Sequence, residues 1–235
     1  MKKIILILIS MAGISLTAQE KITPELLWQL GRVSPISITN DSNNIIYKVA
    51  TPSIKENKLI SKYYIIPIEG GTPKEIKDFE NLIKDKNKSK NGWTLSHKEI
   101  KIQNVDGKDF YPDLDKSDVQ IYNELDYRHW DTYNTGNHNH VFITNSKNEE
   151  IDIMKGEPYD SPQKPFGGDE DYIWSPDGTK IIYVCKKKAG TAYATSTNTD
   201  LYEYDLATKT TKNLTESNLG YDTAPKFSPK GDLTW

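Results

Sequence analysis

The sequence predicts an all-β chain: a partial β-propeller of about three and a half four-stranded blades, with a short N-terminal helix and a small helical insertion. Three observations predict it. Aromatic residues make up 10% of the 235, with 14 tyrosines, and aromatic side chains suit the half-buried pleated surface of a strand. A turn-and-strand unit recurs along the chain, and a strand-turn-strand unit follows it. Self-similarity over tens of residues marks a repeat architecture, and sheets of four short strands are the blades of a propeller.

The elements follow in order. Met1-Lys2-Lys3, the apolar run from Ile4 to Leu16, and Thr17-Ala18-Gln19 read as a secretory signal peptide over residues 1–18. Its apolar stretch is shorter than the roughly 20 residues a helix needs to span a bilayer. No stable membrane span is therefore expected, and the mature chain, 19–235, is expected in the periplasm or outside the cell. Thr23 to Gly31 then reads as a helix, with Thr23 as cap, Pro24 in the first turn, Glu25 at the positive end and Gly31 closing it.

Beyond the helix the pattern has period two. Trp174-Ser175-Pro176-Asp177-Gly178-Thr179-Lys180-Ile181-Ile182-Tyr183 is a tight turn leading straight into an apolar strand. Phe227 to Trp235 repeats it 53 residues downstream, and Ile38 to Tyr47 is a degraded copy. Strand-turn-strand units are read at 63–76, 141–154 and 201–214. The middle repeat is irregular, with inner strands expected near Trp93–Leu95 and Glu99–Ile102. An insertion at about 105–140 carries Leu114, Ile121, Tyr122 and Leu125 near helical spacing, which predicts a short helix. The lysines from Lys84 to Lys90 read as a solvated loop, and Thr191 to Thr199 as a strand connection on a blade edge. In the repeat alignment Trp235 falls opposite Ile182, inside a strand of a fourth blade. That predicts a truncated propeller, three blades and the opening of a fourth.

Composition narrows the partners. The formal net charge is −3, and phosphate binding needs a clustered positive field, so nucleic acid is not expected. The single cysteine, Cys185, excludes an internal disulfide framework and a multi-cysteine zinc site; it reads as a small buried hydrophobe on a strand. No cofactor and no metal are expected. His138 and His140 share a strand face but lack an obvious third ligand, and Asp113, Asp115 and Asp118 lack the glycine and terminal glutamate of a calcium loop.

Two polar clusters remain. Asp169, Glu170 and Asp171 follow the flexible pair Gly167-Gly168, and by themselves read as a solvated loop or a turn cap. Arg128, His129, Trp130 and Asp131 form the second cluster. There Arg128 either binds a substrate carbonyl or carboxylate, or pairs with Asp131 or Asp126 while Trp130 packs between blades.

The unit at 174–183 resembles the propeller repeats of TolB-like proteins and of the prolyl oligopeptidase family of serine peptidases. Tyr127-Arg128-His129-Trp130-Asp131-Thr132 with His140-Val141-Phe142, Phe166 to Tyr172, and Gly220 to Pro225 resemble segments of that family's dipeptidyl peptidase and acylaminoacyl peptidase branch. The resemblance implies an N-terminal propeller over a hydrolase domain whose nucleophile sits on a Gly-x-Ser-x-Gly elbow. This chain contains no such elbow, so no catalytic residue is carried over, and the chain alone is expected to be inactive. It implies a filter that admits short peptides, with Glu170 or Asp169 holding the substrate's amino terminus, in partnership with a C-terminal hydrolase domain. A TolB-like protein-binding module is the alternative.

Overall fold

The computed structural model describes residues 21–114, 116–125 and 127–235, so the signal-peptide reading, Asp115 and Asp126 lie outside the described residues. The chain forms two compact units, Met1–Lys84 and Asp85–Trp235.

In the first unit, helix α1 (Pro24–Gln29) begins where predicted, with the Thr23 hydroxyl accepting from Leu26 N. Gly31 does not cap it in a left-handed conformation; the chain leaves at Leu30 in extended geometry. Gly31 instead permits close packing, because a Cβ there would lie 2.7 Å from Val49 Cγ1. Strands β1 (Arg32–Ile38), β2 (Asn44–Ser53), β3 (Lys58–Pro67) and β4 (Lys74–Ile76) then form one antiparallel sheet in sequential order. Ile46 is fully buried at its centre, and Tyr47 and Tyr64 stack as a cross-strand pair at 5.5 Å.

The second unit opens with β5 (Thr94–Lys101), a single strand where two short ones were expected. The insertion follows: a one-turn helix α2 (Gly107–Phe110) and a hairpin of β6 (Arg128–His129) and β7 (Thr132–Tyr133). The helix expected on Leu114, Ile121, Tyr122 and Leu125 does not form. An Asp106/Asp109 capping box places it earlier, and Pro112 follows it at once, where the missing N–H discourages continuation. Leu114 and Leu125 are left exposed.

Strands β8 (Asn137–Thr144) and β9 (Glu150–Asp152) join β5 in a three-stranded sheet, where four strands were expected. Strands β10 (Tyr172–Trp174), β11 (Lys180–Cys185), β12 (Asp200–Asp205) and β13 (Thr210–Asn213) make a complete four-stranded meander, and β14 (Lys226–Phe227) pairs with β15 (Leu233–Thr234). A six-residue helix, α3 (Gly190–Thr195), occupies part of the stretch read as a plain strand connection. The all-β class holds, and the complete meanders have the sequential antiparallel order of propeller blades.

Packing explains why β11 is apolar from Ile181 onward. Ile181, Tyr183 and Cys185 join a core with Leu95, Val141, Ile143 and Trp174, while Ile182 and Val184 face the other way toward Leu201, Phe227 and Leu233. A strand covered on both faces has no polar side to present. Cys185 is fully buried in it, and burial pushes its thiol well above the ordinary range.

The turn motif occurs four times among the described residues. In each, a hydroxyl residue accepts a backbone N–H on the far side of the turn: Thr39 from Asn44, Ser89 from Trp93, Ser175 from Lys180 and Ser228 from Asp232. The Ser89 copy, Ser89-Lys90-Asn91-Gly92-Trp93, closes the lysine run that reads as a solvated loop; Ser89 is buried and leads directly to β5.

Candidate functional site

The second unit holds a cavity of about 830 Å³, within the range typical of small-ligand sites. Its walls come from the insertion, from β8, from a strap (residues 160–168) and from the segment entering α3. Local sequence chemistry sets each wall.

The β6–β7 hairpin places Arg128, His129, Trp130, Asp131 and Tyr133 on the cavity. Its two-residue loop, Trp130-Asp131, puts Trp130 at φ 51°. That left-handed geometry matches strand twist in tight hairpins and is ordinarily given to glycine. Trp130 is compensated by contacts with His129 at 5.1 Å and Phe166 at 5.9 Å between ring centroids. It is 76% exposed, so the expected packing between blades is corrected. Arg128 does not pair with Asp131. Its guanidinium lies 6.0 Å from the Tyr133 ring centroid, and it forms no ion pair among the described residues.

Gly136 anchors the insertion's return. It has φ 76°, and a Cβ there would sit 2.1 Å from the Gln103 carbonyl oxygen. Ile102 N and Gln103 N both donate to its carbonyl.

On β8, His138 and His140 are occupied by carboxylates. His138 Nδ1 lies 2.9 Å from Asp160 Oδ2, and Asn139 N donates to Asp160 Oδ1 at 2.7 Å. His140 Nδ1 lies 2.9 Å from Asp152 and its Nε2 lies 2.9 Å from the Glu157 carbonyl. Among the described residues no cluster of three or more His, Cys, Asp and Glu side chains is placed to hold a metal ion. Lys164 Nζ adds contacts to Glu99 Oε1 at 2.6 Å and to the Asn137 carbonyl at 2.9 Å.

The acidic triplet forms a 3-10 turn, and its three carboxylates have different fates. Asp169 Oδ1 accepts from Tyr172 OH at 2.5 Å and lies 3.3 Å from His97 Nδ1. Asp171 is 2% exposed and accepts from Gln163 N at 2.9 Å. Burial pushes its carboxyl up to about 6; the Gln163 bond opposes this and the Glu170 charge adds to it. Glu170 is exposed and makes no hydrogen bond or ion pair among the described residues. Its Oε2 would meet a Cβ on Gly168 at 2.8 Å, so the carboxylate folds back over that glycine's backbone. Gly167 lines the cavity, three residues before Glu170 in the chain. Asp169 and Glu170 are not among the lining residues; Arg128 is.

The arrangement offers the guanidinium of Arg128 to a carbonyl or carboxylate in the cavity, and leaves the exposed carboxylate of Glu170 open to an ammonium group. Reading the sequence missed Gln163, Gly136 and the His138–Asp160 pair. The doubled proline in Ser161-Pro162-Gln163-Lys164-Pro165 was the available signal for an ordered strap. Among the described residues no helix is long and apolar enough to cross a membrane.

No family model matches the chain. It is 34% identical to a dipeptidyl-peptidase 5 of Porphyromonas gingivalis over 92% of its own length and 39% of the relative's. It is 31% identical to a dipeptidyl-peptidase 5 of Porphyromonas endodontalis over 91% of its length and 38% of the relative's. A dipeptidyl-peptidase 5 of Schizosaccharomyces pombe matches at 31% over 51% of the chain and 19% of the relative. The chain spans about two fifths of the length of the two Porphyromonas relatives, and it is related to the dipeptidyl peptidases.

Proposed function

We propose that the chain is the non-catalytic propeller portion of a secreted serine exopeptidase of the prolyl oligopeptidase family, and that it gates and positions short peptides for hydrolysis. The similarity to dipeptidyl-peptidase 5 over 92% of the chain carries this reading. Sequential antiparallel sheets and a ligand-sized cavity are consistent with it. In this reading Glu170 holds the peptide's amino terminus by a charge-assisted hydrogen bond. The other two acids of the triplet are already committed to the fold, through Tyr172 and Gln163. Arg128 meets a peptide carbonyl or carboxylate from the cavity wall. A hydrolase domain supplies the chemistry, and the work is done in the periplasm or outside the cell.

A chimera tests the proposal. The matching stretch of the Porphyromonas gingivalis relative is replaced by residues 19–235. The chimera should release dipeptide from a free-amine dipeptidyl arylamide and leave the N-acetylated substrate intact. Glu170→Ala in it should raise KM at least tenfold with kcat within a few-fold. A chimera that melts cooperatively yet releases no dipeptide would count against the proposal, and an unchanged KM in Glu170→Ala would remove that residue from it.

A further inference from the structure

We propose that Gln163 is the positioning residue of the cavity: it clasps the strap to β11, α3 and the acidic turn, and so holds the wall that a ligand meets. Its ligand rests on the peptide reading above; the clasp itself rests on geometry.

Gln163 is buried, at 4% exposure, and a buried amide is stable only where its donors and acceptor are satisfied. Here they join separate segments. Nε2 donates to Tyr193 OH at 2.9 Å and to the Lys164 carbonyl at 3.1 Å, while Oε1 accepts from Lys186 N at 2.8 Å. The backbone adds two bonds. Gln163 N donates to Asp171 Oδ2 at 2.9 Å, and the Gln163 carbonyl accepts from Gly167 N at 2.7 Å. A Cβ on Gly167 would lie 2.0 Å from Asp171 Oδ2, so the carboxylate fills the space a side chain would need.

The other end of the strap is tied to β8. Ser161 N donates to the Asn139 carbonyl at 2.8 Å, and Asn139 Nδ2 donates to the Pro162 carbonyl at 3.1 Å. No strap residue belongs to either hydrophobic core. Polar bonds therefore hold the strap, and a segment with few buried apolar contacts opens locally when its bonds are removed. Lys164, Pro165 and Gly167 face the cavity, as does Tyr193. One glutamine thus fixes the cavity wall and, through Asp171, the turn bearing Glu170.

The test uses the 235-residue protein with Gln163→Met, which keeps the volume and removes the amide. Asp171→Ala releases the strap from outside the cavity wall, and Asp171→Asn keeps an acceptor for Gln163 N. Hydrogen exchange reads the amides of Gln163 and Gly167. Binding of trialanine, a free-amine probe, is read from the Trp130 indole N–H resonance. Exchange at Gly167 should rise at least tenfold, and the trialanine Kd at least tenfold, in Gln163→Met and Asp171→Ala. Asp171→Asn should show neither rise: its exchange at Gly167 should be no faster than wild type, and its Kd should stay within about threefold. Unchanged exchange in both disrupting variants overturns the clasp, as does faster exchange with a Kd within twofold. A wild-type protein that does not bind trialanine refutes the peptide reading instead, and the exchange comparison then decides the clasp by itself.

Discussion

Replacing Asp171 by asparagine should stabilise the second unit at neutral pH, and by an amount that depends on pH. The carboxyl is almost wholly buried, and burial raises it from 3.8 to about 6. A raised folded-state value means that the folded chain binds the proton more tightly than the unfolded chain. The stabilising contribution is therefore complete below about pH 4 and is lost as pH climbs through 6. About two pK units correspond to about 3 kcal/mol. Above pH 7 the wild type carries a buried anion worth that much destabilisation, which asparagine lacks. Asparagine still offers an oxygen to Gln163 N, so the clasp is kept. The assay is urea unfolding of both proteins in a Trp28→Phe background, so that the fluorescence comes from tryptophans of the second unit. The variant's advantage should be about 3 kcal/mol larger at pH 7.5 than at pH 4. An advantage that does not change with pH, or that shrinks as pH rises, would refute the reasoning.

Other outcomes are expected from single features. Gly136→Ala should destabilise the second unit by about 2–4 kcal/mol, because φ is 76° and the new methyl would collide with the Gln103 carbonyl; a melting temperature equal to wild type would contradict this. Cys185 should react with a thiol reagent only at the rate of unfolding, since it is fully buried and its thiol is held protonated; rapid stoichiometric labelling of native protein would be the contrary result. Ser89→Ala should cost about 1 kcal/mol through loss of the Trp93 N–H bond, and a silent substitution in urea unfolding would show that the turn is not held by this hydroxyl.

Much of the fold was legible because its signals are local. The Thr23 cap, the period-two strands, and the Ser175 and Ser228 turns each involve residues within a few positions of one another, where backbone preference and one side-chain bond decide the outcome. Asp177 illustrates this. It accepts from Ser175 Oγ and Thr179 N, and these bonds, the Ser175 one foremost, hold its carboxyl down at about 2. The Ser89 copy was hidden by its lysines because charge reads as solvent exposure, whereas the motif depends only on the hydroxyl and on Gly92. The insertion misled for a related reason. Leu114, Ile121, Tyr122 and Leu125 have helical spacing, but spacing makes a helix only when a partner surface covers the face, and Leu114 and Leu125 lie open.

By itself the sequence determined the class, the repeat, the positions of most strands and the acidic triplet as a place to look. Only the tertiary structure decided what each acid of that triplet does. Asp169 meets Tyr172 and His97, Asp171 is buried and meets Gln163, and Glu170 is the one acid of the three with no hydrogen bond or ion pair among the described residues. The tertiary structure also brought Gln163 to Tyr193 and Lys186, and His138 to Asp160, across separations of 22 to 30 residues. A carboxylate's availability depends on which donors reach it, and those donors arrive from distant strands and loops. Local sequence carries the turn, whereas burial and partners exist only once the sheets have packed.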